Sequence, residues 1–163
     1  MVLNEDLAFA DAGEVVKRAF RGVPEKMLLN SNVRLHKWTS AARIDGSRIT
    51  PWWSFVETIR LPSGRCLEGF RTAERRAARL GTTHREFVRA RAGISDQFGN
   101  TMTDLVMGVM LMPVWGFAGY ASGQPEFAKD RPDLGVVFLI GGAPHVWVPN
   151  LTPRHITTIP VLG

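Results

Sequence analysis

The sequence predicts an α+β domain, with a split, largely antiparallel or mixed β-sheet and a helical middle segment. Two observations carry this. Strand-like segments cluster on either side of a helical stretch, two before it and three or four after it, instead of alternating with helices one for one. The chain also has 163 residues, 45% of them hydrophobic and 21% charged, which is enough for one sizeable core and too apolar for a disordered segment. No linker, internal repeat or low-complexity tract divides it. Residues 1–163 therefore read as one domain, with 1–24 as an N-terminal helical segment and 32–163 as the α+β core.

Asn4 or Asp6 can cap a first helix running to about Phe20, with Leu7, Ala10, Val15, Val16 and Phe20 as its apolar stripe. Gly22-Val23-Pro24 ends it. Asn32 to Thr39 alternates, with Val33, Leu35 and Lys37 on one side and Arg34, His36 and Trp38 on the other, which predicts a strand. Ala41 to Arg48 reads as a polar loop. Ile49 to Leu61, aromatic and β-branched, reads as a second strand with Pro51 at its start or on an edge. After the turn Pro62-Ser63-Gly64, Cys66 to Leu80 has helical spacing, and Gly81 follows as its C′ residue; Cys66 reads as a buried helix residue. Thr83-x-x-Glu86 is a capping box for a helix to about Ala92, and Ser95 to Met110 reads as a third helical stretch. Val114 to Gly123 then reads as a strand, and Gln124 to Leu134 as a polar loop. Val136 to Ile140, His145 to Val148 and Ile156 to Val161 are three further short strands.

Charge is concentrated in one place. The formal net charge is +5, and the 27 residues from Arg65 to Arg91 hold eight arginines against three glutamates. The rest of the chain balances at twelve and twelve, so the whole excess lies in the helical middle. Such a stretch is either a footprint for nucleic acid or an acidic partner, or a solvated helix face. The single cysteine rules out a disulfide-stapled scaffold and a multi-cysteine zinc module. Met1 to Ala10 lacks a basic, apolar leader, and Leu105 to Tyr120 is interrupted by Gly108, Pro113 and Gly116 and is shorter than a membrane span of about 20 residues. The expectation is a protein of the producing or target cell's cytoplasm, without membrane attachment; a specialised secretion machine could still export it. P-loop, GxGxxG, HExxH, EF-hand and Gly-x-Ser-x-Gly signatures are absent. His145 and His155 could meet across adjacent strands, yet no third ligand accompanies them, so no metal site is expected.

Three segments place polar residues inside apolar strands: Arg34 to Thr39, Thr50 to Ser54, and Gly141 to Asn150. With the first strand beside the last of these, Arg34 and His36 would line one side of a cleft. Ser54 and the pair Trp52–Trp53 would form its floor, with His145 at the far edge. An arginine can hold a pyrophosphate bidentately and aromatic faces can sandwich a planar ring, which together suggest a nucleotide pocket. Each piece alone also fits a solvated sheet face, a core tryptophan or an ordinary hairpin.

In the order of these motifs the sequence resembles the ADP-ribosyltransferase-like toxin domains, over Asn32 to the C-terminus. The resemblance implies that fold, and an enzyme that takes NAD as substrate and either transfers ADP-ribose to a macromolecule or cleaves the nicotinamide bond. It implies that Arg34 or His36 holds NAD and that Thr50, Trp52, Trp53 and Ser54 match the family's Ser-Thr-Ser-like stretch with its neighbouring aromatic. It also places the late strand at His145 to Pro149. The family's catalytic Glu is not matched: His145 occupies its place, and neutral imidazole supplies no fixed negative charge. Glu126, in the loop after Gln124-Pro125, or Glu57 would have to act instead. The catalytic candidates are thus His145, Glu126 and Ser54. The expected partners are a macromolecular acceptor and an acidic neutralising protein, with nucleic acid as the lesser alternative. Two other readings stay open: a non-catalytic module docking an acidic partner through the 65–91 arginines, and a basic RNA-binding or ribonuclease-type toxin.

Overall fold

The computed structural model describes residues 1–39, 49–91, 102–127, 136–139 and 141–162; of 124–127, 136–139 and 162 it describes the backbone alone. The architecture is α+β. A seven-stranded sheet is built from β1 (Glu25–Leu29), β2 (Arg34–Thr39), β3 (Trp52–Phe55), β6 (Asp104–Met110), β7 (Val114–Tyr120), β10 (Pro144–Trp147) and β11 (Ile156–Leu162). Their order is β1-β7-β10-β3-β2-β6-β11, and all six pairings between these neighbouring strands are antiparallel. Two short hairpins, β4 (Ile59–Arg60) with β5 (Cys66–Leu67) and β8 (Gln124–Phe127) with β9 (Val136–Leu139), stand outside it. The helices among the described residues are a 3-10 turn at Phe9–Asp11, α1 (Glu14–Ala19), α2 (Phe70–Arg79) and α3 (His84–Arg91). No helix among the described residues is long and apolar enough to cross a membrane.

Strand β3 is the joint of the sheet. Trp52 and Trp53 pair with Trp147 and Val146 of β10, whereas Ser54 and Phe55 pair with His36 and Leu35 of β2. Four residues therefore connect β1-β7-β10 to β2-β6-β11. The first strand thus does not lie beside the Gly-Gly strand, because β3 separates them. His145 and His155 do not meet either, since three strands lie between β10 and β11, the strand that His155 precedes.

The two sheet faces differ. One carries the main core, which includes Leu35, Trp53, Phe55, Val106, Val146, Val148 and Ile156. The other is covered in two pieces. Leu7, Phe9, Ala12, Val16 and Phe20 of the N-terminal segment pack with Phe117, Trp147 and Trp52. Helices α2 and α3 pack on one another through Ala73, Ala77 and Phe87.

Several sequence expectations change. The long N-terminal helix is a 3-10 turn and six helical residues entered from Gly13, with Val15 exposed. Asn4 instead adopts a positive φ of 63° and ties Trp115 O and Pro149 O together through its side-chain amide. Leu3 bridges to Val114, so the N-terminal segment is stitched into the sheet. Edge strand β1 has no counterpart in the sequence reading. The predicted strand Ile49 to Leu61 breaks after Phe55 into β3 and β4, and Cys66 is an exposed strand residue with α2 beginning only at Phe70. Asp104–Met110 is strand rather than helix: Gly108 opposes Leu35 and leaves room for Trp53 and Ile156, whose atoms a Cβ there would meet at 3.0 and 2.5 Å. Gln124–Phe127 is strand, not loop. The expected loop at 41–48 and the helical stretch at 95–101 lie outside the described residues.

The capping signal at Thr83 holds: its Oγ1 accepts from Glu86 N at 3.2 Å, one of the first-turn donors that the α3 backbone cannot satisfy. Thr83→Ala is expected to cost about 1 kcal/mol. Urea unfolding checks this, the midpoint falling while the m-value stays constant.

Candidate active site at the sheet joint

Alternation on β2, β3 and β10 puts Arg34, His36, Trp38, Trp52, Ser54, His145 and Trp147 on the helix-covered face. Two aromatic–imidazole groups form there, side by side, with Ser54 between them.

The first surrounds His145. Its ring lies 4.3 Å from that of Trp52 and 5.6 Å from that of Phe20, which meets it edge-on. Trp147 flanks Trp52 at 6.4 Å. Burial holds the His145 imidazole down at a pKa of about 4, so it is neutral at physiological pH. Backbone geometry places this strand: Gly141 and Gly142 take positive φ of 75° and 91°, turning the chain into β10. Gly141 N and Ala143 N donate to Ala90 O and Arg91 O at 3.0 and 2.8 Å, which fastens the turn to the end of α3.

The second surrounds His36, the cross-strand neighbour of Ser54. Phe70, the first residue of α2, stands edge-on to it at 5.0 Å, and His84, the first residue of α3, lies at 5.8 Å. Trp38 Nε1 donates to His84 Nδ1 at 3.1 Å. An indole nitrogen only donates, so the neutral His84 ring carries its proton on Nε2. That Nε2 and His36 Nδ1 are buried without a hydrogen-bond partner. Burial, and secondarily the neighbouring His84, lower His36 to a pKa of about 3, with a backbone hydrogen bond at Phe55 acting the other way; burial alone lowers His84 to about 4.

The remaining predicted residues divide. Ser54 Oγ donates to Pro144 O at 3.0 Å, linking the two groups across the joint. Arg34 sits at the open edge of the same face, half-exposed, its guanidinium paired with the Glu57 carboxylate through Nε at 2.7 Å and through Nη2. Trp53 and Thr50 do not join them. Trp53 is 2% exposed in the core of the opposite face, and Lys37 lies 4.0 Å over its ring while bonding Thr50 Oγ1. The tryptophan pair is therefore not a common floor, because neighbours on a strand point to opposite faces. Glu126 lies on β8 opposite Val137, and its side chain is outside the described part.

Sequence reasoning missed His84, Phe70 and Phe20. Trp38 was legible as the residue two beyond His36 on the same face. His84 had no local signal, since its strand partners His36 and Trp38 lie more than forty positions away. Among the described residues no group of three or more His, Cys, Asp or Glu stands together as a metal site. No family model, curated protein or solved structure matches the chain.

Proposed function

We propose that the chain is an ADP-ribosyltransferase-like toxin or effector domain that binds NAD at the joint of the sheet and cleaves its nicotinamide–ribose bond, passing ADP-ribose to a macromolecule or to water. The observation that carries this reading is the convergence of Trp52, Ser54, His36 and His145 on one face where β3 joins the two sheet halves, with Arg34 at the open edge. Trp52 offers its face to a planar ring. Arg34 offers a bidentate fork to the pyrophosphate, exchanging its carboxylate partner Glu57 for the ligand. That exchange supplies the negative charge that His145 lacks, because the released Glu57 carboxylate faces the sugar as positive charge develops on it. His145, buried and neutral, supports the Trp52 ring.

Isothermal titration with NAD and chromatographic detection of released nicotinamide test this. Arg34→Ala and Trp52→Ala should each weaken NAD binding by about tenfold or more, equivalent to roughly 1.4 kcal/mol. Glu57→Gln should leave the dissociation constant within a few-fold and lower nicotinamide release by about 100-fold. Neither binding nor release by the parent protein, or an Arg34→Ala protein that behaves like it, would sink the reading.

A further inference from the structure

The eight arginines of residues 65–91 have different employments, and Arg89 is among those already engaged. Arg65 pairs with Glu25, Arg76 with Glu68, Arg85 with Glu86 and Met102 O, and Arg91 stacks on Phe87. Arg71, Arg75 and Arg79 are exposed, and their guanidinium groups have no ion-pair partner among the described residues. All three lie on α2, four residues apart. At about 1.5 Å rise and 100° per residue they form one stripe about 12 Å long, drifting only about 40° per step. The stripe points away from the protein, since Ala73 and Ala77 on the opposite side of α2 are buried.

We infer that this stripe is a docking surface for the phosphate backbone of duplex nucleic acid. The three guanidinium groups recur about every 6 Å along α2, so each can meet a separate phosphate of one strand, and arginine forks suit phosphate oxygens. The residues beside the stripe, Thr72, Glu74 and Ala78, offer no aromatic platform for unstacked bases and no apolar anchor of the kind that centres a protein–protein interface. The contact is therefore electrostatic and indifferent to sequence. It is independent of NAD: the stripe lies on the outer side of α2, whereas Phe70 at the start of that helix faces His36 and His84.

Fluorescence anisotropy of a labelled 20-base-pair DNA duplex, titrated with the full chain between 50 and 200 mM salt, tests the inference. The triple variant R71Q/R75Q/R79Q should reduce the slope of log K against log salt by about 2.7, so the affinity of the parent protein should fall about 40-fold more across that range than the variant's. The charge-retaining triple variant with lysine should keep most of the slope, and circular dichroism should show all three proteins equally folded. An unchanged slope in the glutamine variant would overturn the proposal. So would a parent protein that ignores duplex at 50 mM salt but binds polyglutamate, which would make the stripe a docking face for an acidic protein.

Discussion

At pH 5.0 the protein is expected to lose about 4–6 kcal/mol of the stability it has at pH 7.5. His36, His84 and His145 are buried in neutral form, with pKa values of about 3, 4 and 4 against 6.5 for the free side chain. Above pH 6.5 both folded and unfolded chains leave these rings neutral and nothing is lost. Below it the unfolded chain takes up protons that the folded chain refuses, so stability drains away from pH 6.5 down to about 4 for His84 and His145 and about 3 for His36. His36 and His145, fully buried, each contribute about 2 kcal/mol of loss at pH 5 and the less deeply buried His84 contributes less, against a domain's total of only about 5–15 kcal/mol. Glu25, held below the usual carboxylate range first by the Ser63 hydroxyl, acts in the same direction, but only as pH falls below its free value of 4.5. Guanidinium unfolding at the two pH values is the measurement, with His145→Phe as the internal control. That variant keeps an aromatic ring between Trp52 and Phe20 and should remove about a third of the pH dependence. Equal stability at pH 5.0 and 7.5, within about 1 kcal/mol, would contradict the buried neutral imidazoles.

Gly69→Ala is expected to destabilise the fold by about 3 kcal/mol, at the upper end of overpacking effects. Gly69 is the residue before α2, buried where the helix meets the β3–β4 turn. Its amide donates to Thr58 Oγ1 at 3.0 Å, and Phe70 N donates to Val56 O at 2.9 Å. A Cβ there would strike Val56 O and stand 2.5 and 2.6 Å from Glu57 C and Thr58 N, all backbone atoms that cannot rotate aside. The helix start must lift, and Phe70 with it, which opens the cover over His36 and His84. The variant should therefore unfold at lower denaturant and also show a shallower loss of stability between pH 7.5 and 5, since two histidines regain solvent. A fully stable Gly69→Ala protein would mean that the turn yields more readily than its backbone contacts imply.

The parts of this molecule that were legible in the sequence are those governed by near neighbours. The two-residue alternation of Arg34 to Thr39 reads correctly onto β2, Thr83 onto the start of α3, and the late short strands onto β7, β9, β10 and β11. Misreadings occur where a distant packing partner overrides local preference. Asp104–Met110 is rich in Leu, Val and Met and carries a glycine, a composition compatible with helix. It is strand because β2 and β11 flank it and Gly108 makes room for the Trp53 ring. Leu7, Val16 and Phe20 form an apolar pattern not because they lie on one long helix but because the N-terminal segment packs them with Phe117 and Trp147. At the site, Arg34, His36, Ser54, Trp52 and His145 were recognisable as polar or aromatic residues interrupting apolar strands. That Trp53 turns to the other face follows from strand alternation. That His84 completes the group depends on how α3 docks, which no spacing in the sequence encodes.

The four-residue joint at β3 also bears on the order in which this chain can assemble. Strands β2, β3 and β6 become available by residue 110, and β1 finds β7 by residue 120, so each half of the sheet has two of its three strands before β10 and β11 emerge. Only β10 touches both β7 and β3, and it ends at Trp147. During vectorial synthesis the two halves therefore wait, with the edges of β3 and β7 unpaired, until residue 147 has emerged. Closure then depends on contacts spanning about ninety positions, between Trp52–Trp53 and Val146–Trp147. Pairings of such high contact order fold on the millisecond-to-second scale and leave strand edges open to misassociation in the interval.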